Sequence, residues 1–497
     1  MSDPRFALID LGSNSIRMVV FDRRRPYAAP LLNERQVIEL GRGLSTANEL
    51  QPDRMAAALE AFRHFAWLLK GAEIDEVHIF ATAAARAAEN SAAFLEKIHD
   101  IMGSQPEIMS GDQEAALAAR GVQLACPGAV GLVADLGGGS LELAELSEAG
   151  VGRTASLPLG VLWLEEMGLR NAKAALREAL DTLSWWPDLG EEQQLYLVGG
   201  TWRALAKAHM ARTLYPLNVV HRYAVSAKKL RAYAKRLITR PAHRLDAMEH
   251  VSPARRRKLP WAALAAKELA RSVKAKRVVF SAAGVREGYS AELLGRAQEF
   301  NLPQNARYDR AIAALIPEGG RFSERFGSLG QTLFTWTSPI FLSEKPALRD
   351  RRAQACQLFD FGWEAHPDYR KRDVPSALLH SVTLTQSHKD RAYLALVLLL
   401  RHGGNLKDPG LPWLPLIDLL PKGHVRHAIA VGEALRLAYK ISRGLMPLLS
   451  STQLRTEGLR LILEISRPDL LAMPHLYSAA LGRLSSALAL EPQIRSA

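Results

Sequence analysis

The stretch Phe6 to Phe21, FALIDLGSNSIRMVVF, carries an apolar run into an acid, a glycine and small polar residues before a second apolar run begins. The design returns at Val130 to Leu146, VGLVADLGGGSLELAEL, with an acid and three glycines at the break. Short apolar runs bounded by glycine read as buried strands. A buried strand that ends on a carboxylate needs a polar partner there. Asp10 with Gly-Ser-Asn, and Asp135 with Gly-Gly-Gly-Ser, predict two tight turns whose backbone N–H groups face an anion, glycine supplying close approach and positive φ. The acid can hold a hydrated divalent cation against phosphate oxygens. The alternative is a pair of ordinary β-hairpins.

Further turns share this grammar. Gln194 to Val198 runs into Gly199-Gly200-Thr201, and Arg277 to Phe280 runs into Ser281-Ala-Ala-Gly284 followed by Arg286 and Gly288. Each is a strand entering a small-residue turn and then a helix, a geometry that builds phosphate sites. Arg86 follows the strand Glu76 to Ala81, where it serves either a bidentate phosphate contact or a surface ion pair. Glu114 lies one turn into the helix opened by Ser110-Gly-Asp-Gln-Glu114. It either complements the helix dipole or takes a proton as a general base.

At 497 residues the chain is too long for one core. Strands and helices alternate through the first 300 residues with a restart after Cys126-Pro127-Gly128, which predicts domains at 1–127, 128–300 and 301–497, the last helical and holding one domain or two. Strand patterns fade beyond Asn301. The run Ala392 to Leu400 is well short of the roughly 20 residues that span a bilayer and reads as a buried helix. Two cysteines, Cys126 and Cys356, without metal or redox spacing favour a reducing cytoplasm. Net charge is +13, yet Thr201 to Phe280 alone carries 20 Lys and Arg against three acids, a net of +17 that leaves −4 for the rest. That segment, with Arg255-Arg256-Arg257-Lys258 in it, is either a solvated basic face or a surface for a polyanion.

Six segments in order, DLGSNSIR (10–17), ATAAAR (81–86), SGDQEA (110–115), DLGGGSLE (135–142), GGTWRALA (199–206) and SAAGVREG (281–288), resemble the exopolyphosphatase and guanosine pentaphosphate phosphohydrolase family of the actin, sugar kinase and Hsp70 superfamily. The resemblance implies an α/β fold of two actin-like, ribonuclease H-like lobes followed by a mostly α-helical C-terminal region. It implies Glu114 as catalytic base, Arg86 on the terminal phosphate, and Asp10, Asp135 and Glu142 around a metal ion and water. Ser13, Asn14, Gly137, Gly138, Gly139 and Ser140 would line the phosphate track, with Gly200, Thr201, Arg286 and the 255–258 cluster adding contacts. Gln113 and Leu141 depart from the family's usual residues, and Trp163 stands where a basic residue is common. The last 197 residues are similar to a His-Asp metal phosphohydrolase domain, with Asp360, His366, His380 and Arg401-His402 as landmarks. No adjacent His-Asp pair occurs there, so helix packing is its default role.

The expected activity is metal-dependent release of terminal orthophosphate from inorganic polyphosphate, with Mg2+, or Mn2+, as the cofactor. Hydrolysis of guanosine pentaphosphate or tetraphosphate is the alternative, followed by a sugar or polyol kinase and by a non-enzymatic binder of polyphosphate, alarmone or nucleic acid. The carboxylates favour turnover, because acids beside a bound polyanion repel it unless a metal or chemistry needs them. A homodimer with no membrane or nucleic-acid partner completes these expectations.

Overall fold

The computed structural model describes residues 4–24, 30–183, 185, 194–240, 244, 248–296, 299, 302–316, 329–381, 383–407, 410–411 and 413–497. The first apolar run forms β1 (Arg5–Leu11) and β2 (Ser15–Asp22), an antiparallel pair joined by the turn after Asp10. There follow β3 (Leu32–Val37), α1 (Pro52–Gly71), β4 (Val77–Ala81), α2 (Ala83–Ala87), α3 (Ser91–Met102), β5 (Glu107–Ile108) and α4 (Gly111–Ala125). The sheet order is β3-β2-β1-β4-β5, with β1 and β4 parallel. Ala7, Ile9 and Leu11 of β1 enter one apolar cluster while Phe6 and Leu8 enter another. Burial on both faces is why this strand reads as a continuous apolar run instead of an alternating one.

The second run repeats the plan. The antiparallel pair β6 (Gly131–Leu136) and β7 (Leu141–Ser147) is followed by β8 (Gly150–Leu157), α5 (Val161–Asp181), β9 (Gln194–Val198), α6 (Gly200–Arg212), β10 (Tyr223–Ser226), α7 (Ala227–Ile238), the single turn α8 (Pro253–Arg256), α9 (Leu259–Ser272), β11 (Arg277–Phe280) and α10 (Val285–Leu293). Its sheet runs β10-β11-β9-β6-β7-β8, with β6, β9 and β11 parallel. Parallel neighbours joined through helices aim the turns after β6, β9 and β11 at one end of the sheet, as open α/β sheets do for ligands.

The two sheets belong to one unit, Met1–Pro303, and exchange helices. α4 lies within 1–127 but packs on the second sheet, placing Ala115, Ala119, Val122 and Cys126 against Val133, Ala144 and Tyr196. α10 returns the exchange, laying Val285, Tyr289 and Leu293 on Phe6, Leu8 and Phe80 of the first sheet. α4 and α10 cross at backbone distance, because a Cβ added at Gly121 would stand 2.1 Å from the Gly284 carbonyl oxygen.

The second unit, Gln304–Ala497, is built mainly from α11 (Gln304–Ala313), α12 (Leu329–Thr337), α13 (Pro346–Gln357), α14 (Pro367–His380), α15 (His388–Arg401), α16 (Lys422–Ser442) and α17 (Ser478–Leu488). In α15 every residue but Lys389 and Asp390 is buried, as the apolar run Ala392 to Leu400 leads one to expect. The region beyond Asn301 is mostly helical, as expected, but strands return near its end. β12 (Thr452–Glu457) and β13 (Arg460–Ile465) form a hairpin whose turn holds Gly458 at φ 57°, and β14 (Glu491–Ser496) joins β13 in parallel. Cys126 and Cys356 are both buried, free thiols.

Gly121→Ala is expected to destabilise the protein by roughly 1–3 kcal/mol, because the clash is with a backbone carbonyl that no rotamer change can relieve. Denaturant unfolding measures it. An unchanged midpoint with an unchanged m-value would rule out the close crossing.

Candidate active site

The two strand breaks fold alike. Gly12 N–H donates to the Ser15 carbonyl at 3.3 Å and Gly137 N–H to the Ser140 carbonyl at 3.0 Å, so each turn closes on the same bond. The turns meet across the two sheets: a Cβ added at Gly138 would lie 2.8 Å from Ser13 Cβ and 2.9 Å from Asn14 N. Neither Gly12 nor Gly137, Gly138 or Gly139 has positive φ. Close approach, not left-handed backbone, is what requires glycine here, which corrects half of the reason drawn from sequence. The first turn is also held from behind, as the N–H groups of Glu39 and Gly41 donate to the Asn14 and Ser13 carbonyls at 3.0 and 2.9 Å.

The turns floor a cleft of about 1100 Å³ open to solvent. Of the expected residues, Asp10, Ser13, Asn14, Glu114, Asp135, Gly137, Gly138, Ser140, Gly200, Thr201, Arg255, Lys258 and Arg286 line it. Gly139 sits just behind, near Ser13 and Ala83. Arg86, on α2, donates from Nη1 to the Met109 carbonyl at 2.7 Å and approaches Glu114 Oε2 at 3.4 Å. Glu142 is held by Ser156 Oγ at 3.2 Å, a contact the sequence did not signal.

Glu114 is placed by its helix start. Ser110 Oγ accepts from Gln113 N–H and the Gln113 side chain accepts from Ser110 N–H, a reciprocal cap that fixes the first turn of α4. The glutamine that departs from the family pattern therefore has a structural task. Burial, then the neighbouring Glu142 carboxylate, raises the pKa of Glu114 well above the usual carboxylate range, with Arg86 opposing. Burial lifts Glu142 to about 8 and Asp135 to about 6.

Three arginines that sequence reasoning did not single out, Arg17, Arg35 and Arg203, line the same cleft. Burial and then Arg286 and Arg203 push the pKa of Arg17 down to about 10, and burial followed by Arg35, Arg203 and Arg17 does the same to Arg255. Among the described residues only Arg286 of these five pairs with a carboxylate, Asp10, at 2.7 Å. Arg17 stands opposite Asp10 in the β1–β2 register, so counting across the hairpin could have found it. Arg203 was findable as the cation in the first turn of a helix that follows a glycine turn. Arg35 had no signal.

The run 255–258 divides. Successive residues on a helix fan out by about 100°, so four in a row cannot face one ligand, whereas positions three apart share a face. Arg255 and Lys258 reach the cleft; Arg256 and Arg257 do not line it. Arg255 donates to the Gly200 carbonyl at 2.7 Å. Lys258, 5% exposed, donates to Asn14 Oδ1 at 2.5 Å and Glu39 Oε1 at 2.6 Å, so its ammonium orders the first turn. Trp163 turns its ring onto the first sheet's apolar cluster.

Among the described residues no group of three or more His, Cys, Asp and Glu is gathered to hold a metal ion. Asp10, expected as a ligand, is engaged by Arg286. Asp135 and Glu142 face each other in the β6–β7 register, and Glu142 Oε2 is buried without a hydrogen-bond partner. Two carboxylates, one with an unpartnered oxygen, fit Mg2+, which keeps waters and takes substrate phosphate oxygens in place of an all-protein cage. In the second unit, His366 caps α14 and His380 Nδ1 bonds the Ser376 carbonyl, so these landmarks serve helix ends.

Residues 19–297 match the Ppx/GppA phosphatase family and residues 337–476 the exopolyphosphatase C-terminal family. The chain is 28% identical over 295 residues to exopolyphosphatase 2 of Mycobacterium tuberculosis, an overlap of 55% of this chain and 92% of that one. It is 33% identical over 201 residues to a guanosine-5'-triphosphate,3'-diphosphate pyrophosphatase of Vibrio parahaemolyticus, covering 38% of this chain and 40% of the relative. The fold is similar to that of a Cytophaga hutchinsonii exopolyphosphatase crystal structure, with a TM-score of 0.53 at 20% identity over 59% of this chain and 98% of that one. The paired turns, the buried glutamate and the six ordered segments thus sit in a recognised frame of two actin-like lobes, and the family match covers more than half of the sequence: this chain belongs to the Ppx/GppA phosphatase family.

Proposed function

We propose that the protein is an exopolyphosphatase, hydrolysing the terminal phosphoanhydride of inorganic polyphosphate. The observation that carries this reading is the cleft itself: Arg17, Arg35, Arg203 and Arg255 crowd one another without an ion pair among the described residues, above two amide-lined turns and beside a buried glutamate. Mutually repelling cations are tolerated where a highly charged anion completes them. Guanosine pentaphosphate hydrolysis is the second reading, favoured by the identity to the Vibrio parahaemolyticus relative.

In this mechanism the backbone N–H groups at 13–14 and 138–139 donate to oxygens of the terminal phosphoryl group, and Arg86 orients it. Glu114 accepts a proton from the attacking water as the water oxygen bonds to phosphorus. The bridging P–O bond breaks, and its electron pair leaves on the shortened chain, whose charge the arginines stabilise. Asp135 and Glu142 would hold a divalent cation, Mg2+ or Mn2+, which supplies neutralisation of phosphate charge when bound. Burial raises the basicity of Glu114 toward working pH, which strengthens it as a base. The division into lobes at 1–127 and 128–300 with a C-terminal region at 301–497, a homodimeric assembly and a cytoplasmic location belong to the same proposal and rest on the family resemblance.

Glu114→Gln keeps shape but loses the proton acceptor, so phosphate release should fall by about 10² to 10⁴ while long-chain binding persists. In the parent, kcat/KM should rise with pH along a limb well above 4.5, since only ionised Glu114 works and its pKa is raised. Near-parental turnover by the folded variant would remove Glu114 from the mechanism. Asp135→Ala should raise the Mg2+ concentration for half-maximal activity; activity indifferent to chelation would end the cation reading.

A protonation test needs no turnover. The folded state holds the Glu142 proton more tightly than the unfolded chain, so this stabilising contribution is full below 4.5 and is lost as pH rises through about 8. With a chelator present, unfolding free energy should decline across that window, and Glu142→Gln should flatten the decline. A parent whose stability is level from 4.5 to 8 would contradict the assigned burial.

A further inference from the structure

The basic segment 201–280 delivers Arg203, Arg255 and Lys258 to the cleft, which leaves most of its cations unexplained. Their placement follows a path. α6 begins at the cleft with Gly200 and Arg203. One turn on, Lys207 is exposed on the face shared with Arg203. Arg212, also exposed, closes the helix about 14 Å along the axis from Arg203. There α6 approaches α7: after burial, Arg212 and Lys229 are the groups that lower the pKa of His209.

α7 presents Lys228, Lys229, Arg231, Lys235 and Arg236 to solvent and turns Leu230, Tyr233, Ala234 and Leu237 inward. No acid lies in the helix. Lys228 and Lys229 stand in its first turn, where the helix dipole disfavours cations. Glu268, on the packed α9, is buried and already engaged by Arg177, Lys267 and Arg271. Lys228 and Lys229 thus stand where the helix dipole opposes them, and among the described residues none of the five cations is held in an ion pair.

We infer that the α6 edge and the outer face of α7 form a second, distal binding surface that holds the trailing phosphates of a long polyphosphate whose end is in the cleft. This rests on the exopolyphosphatase reading and extends it. A phosphate polymer is favoured over nucleic acid because base stacking needs open rings. Among the described residues of 201–280, no Phe, Tyr or Trp side chain is exposed and the large apolar side chain that is exposed is Leu214.

The test replaces Lys228, Lys229, Arg231, Lys235 and Arg236 together with Gln and measures equilibrium binding and hydrolysis of long-chain polyphosphate and of tripolyphosphate. A control replaces five exposed cations elsewhere, Arg63, Lys70, Lys97, Arg170 and Lys173, with Gln. The α7 variant should bind long polyphosphate at least about tenfold more weakly, with a salt dependence flattened by about one log unit per lost contact. Its kcat and KM for tripolyphosphate should stay at parental values, and the control should bind like the parent. Equal losses for both chain lengths, no loss for either, or the same loss in the control would overturn the surface. A single-stranded oligonucleotide that binds this face as tightly as polyphosphate of matched charge would reassign it to nucleic acid. A parent that binds long polyphosphate but hydrolyses only guanosine pentaphosphate would refute the exopolyphosphatase reading, while the length-dependent binding loss would still decide the surface.

Discussion

Everything in the cleft depends on two turns from different sheets touching. Gly138 lies against Ser13 and the Asn14 backbone, where even a methyl group would intrude. Only at that spacing do amides from both sheets face one volume. The surrounding structure defends the contact. The α4–α10 exchange ties each sheet to a helix from the other half of the unit, and Lys258 reaches from the second half to Asn14 and Glu39 of the first. Glu39 is in left-handed backbone at φ 56°, and although burial opposes ionisation, Arg42 and Lys258 hold its carboxyl at about 2. A strained, ionised residue that over-determines a phosphate turn is an expected place to find stored strain.

The cleft works against stability in a definite way. Four arginines lie within one another's field and four carboxyl groups, those of Asp10, Glu114, Asp135 and Glu142, are lifted by burial, so the resting protein carries repulsion on both sides of the charge scale. Such arrangements do not arise from packing. They mark sites where pKa values have been shifted for a purpose. The second unit shows the opposite habit: Arg352 is buried but fully bonded, to Glu344, the Phe334 carbonyl and Thr337, and His427 bonds Glu344 in turn.

What was legible in the sequence was local. A continuous apolar run ending in an acid and glycines is explained by nearest neighbours alone, so Asp10, Asp135 and the turns beyond them could be placed, and Ser110 with Gln113 announced the helix that carries Glu114. What was not legible depended on assembly. Arg17, Arg35 and Arg203 come from three segments that share a cleft only after both sheets form. The 255–258 run looked like one patch because a sequence does not display helical rotation. The hold of Lys258 on Asn14 and Glu39 was not visible because those partners lie more than 200 positions away. The strands β12–β14 were missed because exposed, charge-bearing alternation in a short hairpin is a weak signal beside long helices.

The doubled hairpin also gives the cleft a head and a tail. Equivalent register positions hold Arg17 opposite Asp10 in one copy and Glu142 opposite Asp135 in the other, so a single change of charge sign breaks an otherwise repeated design. A linear phosphate polymer has two chemically identical ends. The asymmetry of the encounter therefore resides wholly in the protein, and whichever end arrives first is a competent one. A nucleotide bearing unlike phosphate chains on its 5' and 3' oxygens has no such equivalence and must be presented in the right sense. For a polymer substrate, orientational search is reduced to finding an end.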